Sequence, residues 1–342
     1  MPVGTASLLA AEKSTSFAGS GLYDGGEVKR RGKQMAQLAN ERVAYFNGKI
    51  VPESQVLIPF RDRSFRFGDG GFDMTRTFNG RAFKLREHVE RFYRTLQYLQ
   101  IDIGLSRGEM TEISNEVLER NLHLLGQNED YWLGQRVSRG VDAVGDEGWD
   151  HTGPTVIVEC IPLPLKQRAA HYRDGIDVIV PSVRRVPPDC LTPRAKTHNY
   201  LNLVMGDLEA KAHNPKAWAI LLDVNGNLCE GLGSNFFLVR DGALMTPREQ
   251  FVLPGVSRQT VMDLAAENGI TVQEKDIDLF DAYNADEAFL SSTSLCLCPV
   301  HSVNGVPVAG GAVPGRVTGR LLKAYSEFFD CDFVGQYLSH LD

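Results

Sequence analysis

Lys196 and Glu230 stand 34 positions apart, in Arg-Ala-Lys-Thr-His-Asn-Tyr-Leu-Asn and Leu-Cys-Glu-Gly-Leu-Gly-Ser-Asn respectively. A lysine amine condenses with an aldehyde to give a Schiff base. A carboxylate keeps a pyridine nitrogen protonated, so that the ring accepts electrons from a developing carbanion. Together the two residue types fit the chemistry of pyridoxal 5'-phosphate (PLP). An isolated lysine is a solvated surface cation, so the reading depends on what surrounds Lys196.

Such a cofactor carries one phosphate, and three segments could hold it. Gly255-Val256-Ser257-Arg258 precedes an apolar-periodic run containing Val261, Leu264 and Ala265. Free N–H groups at a helix start bind phosphate, and glycine permits the turn into it. Ser257 is equally compatible with a plain N-cap. Ser291-Ser-Thr-Ser294 closes a strand-like run, where Thr293 and Ser294 could donate to the same anion. Arg91 lies beside the apolar positions Val89 and Phe92. It either snorkels there or reaches into a cleft to neutralise a phosphate. The chain has no Gly-x-x-x-x-Gly-Lys-Ser/Thr loop and no Gly-x-Gly-x-x-Gly after a strand, which disfavours nucleotides.

The elements that must position these residues are legible in part. Val43–Val51 reads as two strands around Asn47-Gly48, and Met74–Phe83 repeats the signal at Asn79-Gly80. Leu85, Val89, Phe92, Leu96 and Leu99 recur at helical spacing. A second helix opens on the capping box Ser106–Glu109 and should stop at Gly126. Strands are expected at 131–138, 155–161, 176–180, 217–222, 235–239, 271–274 and 287–290, and helices at about 200–213, 257–268 and 315–329. Residues 140–154 read as a loop and Pro162–Leu165 as a linker. The expected class is α/β (α+β): an N-terminal extension over 1–38, a small α/β domain over 39–160 and a large cofactor domain over 161–342, with the site between domains.

Composition sets outer bounds. The 342 residues are 43% hydrophobic and 23% charged, with a net charge of −7. That balance disfavours nucleic acid and anionic membrane as partners. No apolar run is long enough for a membrane span. The six cysteines lack disulfide-framework spacing, so a reducing cytoplasm is expected. Cys296-x-Cys298 with His301 lacks a second pair of metal ligands and reads as core thiols, so no metal is expected.

The order Arg91, Lys196, Tyr200, Glu230, Gly255-Val-Ser257, Thr293 resembles the class IV, or fold-type IV, PLP-dependent aminotransferases. That family includes branched-chain L-amino-acid and D-amino-acid aminotransferases, (R)-selective amine transaminases and 4-amino-4-deoxychorismate lyases. The resemblance covers roughly residues 42–330 and includes Phe67–Gly80 and Glu87–Arg91. It implies that Lys196 forms the Schiff base and serves as general acid and base. Glu230 would pair with the ring nitrogen and Tyr200 with the phenolic oxygen. Arg91, Val256, Ser257 and Thr293 would hold the phosphate. It also implies a homodimer.

The donor is the finer question. Where branched-chain enzymes read Phe-Glu-Gly-x-Arg, this chain has Phe72-Asp-Met-Thr-Arg76, and Leu133 stands where their strand arginine follows a tyrosine. Val137-Ser-Arg139-Gly140 looks like the strand end of D-amino-acid aminotransferases, whose arginine clamps the substrate carboxylate; the alternative is an Arg139 that only caps its strand. The extension and the Ser182–Pro187 run are shared with (R)-amine transaminases. Phe72, Arg76 and Arg139 are thus the candidate substrate residues. The expected reaction moves an amino group from a small D-amino acid or (R)-amine to a 2-oxo acid by a ping-pong route. An L-branched-chain donor is the alternative, followed by the lyase reaction and a silent PLP carrier.

Overall fold

Two asparagine-glycine pairs turn the first strands back on themselves. β1 (Val43–Phe46) and β2 (Lys49–Pro52) meet at Asn47 and Gly48, whose φ angles are 45° and 93°. β3 (Gly70–Phe78) and β4 (Arg81–Ala82) meet at Asn79 and Gly80, at 50° and 74°. Positive φ at both turn residues gives the twist that a tight hairpin needs. The computed structural model describes residues 42–145, 151–308 and 312–341. The expected extension over 1–38 and part of the loop over 140–154 lie outside them.

Among the described residues the strands form two sheets. β5 (Tyr131–Ser138) and β6 (Thr155–Pro162) complete the first, an antiparallel sheet in the order β2-β1-β6-β5-β3-β4. A short helix α1 (Arg63–Phe67) precedes β3. Helices α2 (Leu85–Leu99) and α3 (Arg107–Asn121) cover one face of the sheet. Val89, Phe92 and Leu96 of α2 pack there with Tyr131, Leu133 and Val137 of β5. The Ser106–Glu109 capping box forms, but α3 stops at Asn121, and Leu122–Leu124 tighten into a 3-10 turn before Gly126 is reached.

The second sheet belongs to the rest of the chain. After α4 (Leu165–Asp174) come β7 (Ile176–Ile179), α5 (Leu201–His213), β8 (Trp218–Ala219), β9 (Asn235–Arg240) and β10 (Ala243–Thr246). Then follow α6 (Val256–Glu267), β11 (Val272–Glu274), α7 (Leu279–Tyr283), β12 (Glu287–Ser292), β13 (Cys296–Val303), β14 (Val306–Pro307), α8 (Arg316–Phe329) and α9 (Phe333–Leu338). The strand order is β11-β10-β9-β12-β13-β7-β8, with β14 on β13. Phe236, Phe237, Phe289 and Leu297 on the central strands pack with Val261 of α6 and Leu321 of α8 into the larger core.

The expected linker is not free chain. Leu163 and Leu165 are buried in the larger core, and α4 starts directly after Pro164. The strand expected over 217–222 pairs only at Trp218 and Ala219, with Leu222 in isolated bridges. β13 carries no strand signal in the sequence because nearly every residue in it is buried, which removes the alternation that marks a strand.

Candidate active site

The peptide around Lys196 is stitched to the first sheet. Phe72 N donates to Lys196 O and His198 N donates to Gly70 O, both at 2.9 Å. Lys196 N donates to Thr95 Oγ1 of α2 at 3.0 Å. Two backbones can approach this closely because Gly70 and Gly71 have no side chain. A Cβ on Gly70 would lie 2.7 Å from His198 Nδ1, and one on Gly71 would lie 3.3 Å from Lys196 O. The lysine side chain then runs to Tyr200, where Nζ donates to the hydroxyl at 2.8 Å. Nζ also lies 4.5 Å from the centroid of the Phe72 ring, against which Tyr200 packs edge-on.

Glu230 arrives from the second sheet, on the loop that leads into β9, and forms a bridge with Asn235. Its side chain is buried. Burial pushes the carboxyl above its ordinary pKa, and the Arg185 guanidinium pulls the other way. Arg185 Nε donates to Oε1 at 3.0 Å and Leu253 N to Oε2 at 2.8 Å. The carboxylate is therefore held rigidly, with its charge partly balanced from one side.

Gly255 caps α6, and Val256 and Ser257 open it. First-turn N–H groups have no partner within their own helix. Val256, Ser257, Thr293 and Arg91 line the same pocket as Lys196, Tyr200 and Glu230. The hydroxyls of Ser234 and Ser291, two more lining residues, are buried without a hydrogen-bond partner among the described residues. Unpaired buried hydroxyls beside a helix N-terminus and an arginine suit a phosphate. Arg91 is oriented by Asp73, to which Nε and Nη2 donate at 2.8 and 2.7 Å, and Nη1 donates to Pro254 O at 3.1 Å. His88 Nδ1 lies 2.7 Å from the same carboxylate. Burial opposes the Asp73 charge, but Arg91 and His88 outweigh it and hold the carboxyl well below the usual range.

These residues fit PLP: an amine for its aldehyde, a carboxylate for its ring nitrogen, a phenol beside the amine and an anion cradle. Bound there, the cofactor supplies an electron-accepting ring. Lys196 Nζ is the group that could move a proton, and Tyr200 fixes where that amine sits.

Three expected site residues stand apart from the pocket. Arg76 is fully buried behind it, and Nη1 donates to Ser294 O and Nη2 to Gln336 Oε1, each at 3.0 Å. Ser294 is buried and turns its hydroxyl to Arg168. Arg139 donates to Asp69 Oδ2 at 2.8 Å, Leu99 O at 2.7 Å and Gln100 O at 3.1 Å. Leu133 points into the small core. Arg185, Asp73, Thr95 and His198 support the site without a sequence signal of their own. Each acts through a contact made across elements, which one strand of text does not display.

The family model for amino-transferase class IV matches residues 70–303. Among curated proteins, the branched-chain-amino-acid aminotransferase of Escherichia coli K12 is 31% identical over 296 residues, covering 83% of this chain and 92% of that protein. The D-alanine aminotransferase of Bacillus licheniformis is 30% identical over 280 residues, covering 82% and 94%. A solved branched-chain amino acid aminotransferase from T.th., complexed with N-(5'-phosphopyridoxyl)-L-glutamate, superposes with a TM-score of 0.75 at 27% identity over 84% of this chain and 93% of that one. With a lysine, a buried carboxylate and an anion cradle meeting at one pocket, the chain belongs to the class IV aminotransferases and is a PLP-dependent transaminase of fold type IV.

Proposed function

We propose that this transaminase takes its amino group from a branched-chain L-amino acid and gives it to a 2-oxo acid in ping-pong order. The placement of Arg139 carries the reading. A D-donor clamp of the expected type needs that guanidinium free, and each of its three nitrogens already donates, to Asp69 and to two carbonyls at the end of α2. Phe72 beside the amine offers an apolar wall suited to an aliphatic side chain. Similarity to branched-chain enzymes supports the same choice. The 30% identity to a D-alanine enzyme favours the second reading, a D-amino acid or (R)-amine donor.

In this reading Lys196 anchors the cofactor and, displaced by the donor, moves the substrate proton at Nζ. Glu230 keeps the ring nitrogen protonated, and Tyr200 meets the phenolic oxygen. Arg91, Val256, Ser257 and Thr293 hold the phosphate. Ser294 and Arg76 act by fixing the turn that carries Thr293. The enzyme works as a cytoplasmic homodimer built from a domain ending near residue 160 and a cofactor domain beyond it.

The test is a half-reaction. L-leucine, D-alanine and (R)-1-phenylethylamine are added separately to PLP-loaded protein, and loss of the cofactor absorbance is followed. L-leucine should react fastest, and the K196A variant should not react. Faster conversion by D-alanine or the (R)-amine would replace the L-donor with the second reading.

A further inference from the structure

The family assignment leaves open which residue takes the carboxylate of the amino acid. The two arginines singled out by sequence motif are both engaged elsewhere, and the strand position read as Leu133 faces the core. The other face of β5 is set by its pairing with β3. Phe72 pairs with Arg136, Met74 with Gly134 and Arg76 with Trp132. Paired residues across antiparallel strands share a face, so Arg136 stands on the same side of the sheet as Phe72, the side the Lys196 amine approaches.

We propose that Arg136 is the residue that binds the substrate carboxylate, through its two terminal nitrogens. Its guanidinium carbon lies 5.1 Å from the Phe72 ring centroid, the same ring that Lys196 Nζ approaches to 4.5 Å. The amine that exchanges with the donor nitrogen and a guanidinium that fits a carboxylate therefore lie against one aromatic ring. An α-amino acid carries these two functions one carbon apart. Arg136 Nε donates to Glu159 Oε1 at 2.5 Å, which fixes the plane of the fork, and no partner of its Nη atoms is found among the described residues. The side chain is partly open to solvent, with 36% relative exposure, so a ligand can reach it. His198 stacks on Phe72 at 5.6 Å between centroids, closing another side of the ring. A planar, preorganised guanidinium suits bidentate carboxylate binding.

The proposal rests on the amino-acid substrate of the reading above, but not on its handedness, because L- and D-donors share the carboxylate. The test uses PLP-loaded wild type, R136L and R136K. Binding of 4-methylvaleric acid and of 4-methylvaleramide is measured by calorimetry, with cofactor absorbance reporting intact sites. Wild type should bind the acid more tightly than the amide. R136L should lose about 10- to 100-fold of acid affinity, the size expected for charge-assisted hydrogen bonds, and a much smaller factor for the amide. R136K should recover part of the loss. Equal loss for acid and amide would mark a structural role and overturn the proposal. So would R136L binding the acid as wild type does, or wild type showing no preference for acid over amide. A donor panel that reverses handedness would sink the branched-chain L-reading and leave this result standing.

Discussion

His198 shows how far one side chain is bent to its place. Burial first, and the Arg136 charge second, lower its pKa from 6.5 to about 4, with Asp62 opposing. The unfolded chain takes up that proton as pH falls below about 6.5, whereas the folded protein resists until about 4. The unfolded state thus binds more protons in this window, and stability is lost as pH falls through it. The size is about 3 kcal/mol at pH 4 relative to neutral. Calorimetry from pH 7.5 to 4 should show a steeper loss for wild type than for H198Q. Coincident slopes would mean that the ring is not held neutral by the fold. Residue types explain which parts of the site could be read in advance. Lys196, Tyr200 and Glu230 announce themselves through their chemistry and flanking motifs. Arg136 and Arg139 are both arginines of one short segment, and only parity separates them. The run Tyr-Trp-Leu-Gly-Gln-Arg-Val-Ser of β5 does not alternate apolar with polar residues, so that parity cannot be read from it.

At the scale of elements, glycines and caps decide where the anion cradle sits. A Cβ on Gly255 would fall 2.2 Å from Asn235 Oδ1, and Asn235 Nδ2 in turn donates to Leu253 O at 3.0 Å. G255A must therefore push the start of α6 away from β9. The N–H groups of Val256 and Ser257 would move with it, and PLP affinity should fall by about 10-fold or more. Titration of the apoprotein with PLP checks this, and an unchanged affinity would remove the start of α6 from the phosphate site. The start of α6 was legible because a glycine ahead of an apolar-periodic run is a local signal. The strand β13 and the helix α4 were not. The first is buried at all but one residue, and the second begins directly after Pro164 inside what reads as a proline-rich connection.

At the scale of the molecule, large apolar side chains are exposed in two groups on the surface. Leu57, Phe60, Phe65 and Phe67 are exposed around α1, Phe65 to 76%. Leu201, Met205 and Leu208 are exposed along one side of α5. Clustered apolar side chains of this size mark an interaction surface, and a second copy of the chain is the occupant implied by the family resemblance. Sedimentation velocity should give a dimer for wild type and a shift to monomer for F65D. A monomeric wild type at micromolar concentration would refute the assignment. The division of labour between the sheets was only partly visible beforehand, because a change from one sheet to the other involves long-range pairing that local patterns do not carry.

The bridge between Gly70–Phe72 and Lys196–His198 has a consequence for substitution. Glu230 and the α6 cradle lie with the second sheet, whereas Phe72 and Arg136, the proposed substrate-facing pair, belong to the first. Substitutions at Phe72 on β3 and Arg136 on β5 can therefore change the substrate side while Glu230 and the start of α6 stay in place, provided Asp73 of β3 still holds Arg91. The peptide bearing Lys196 must satisfy both halves, as must Arg91, which is oriented by Asp73 of β3 and donates to Pro254 O beside α6.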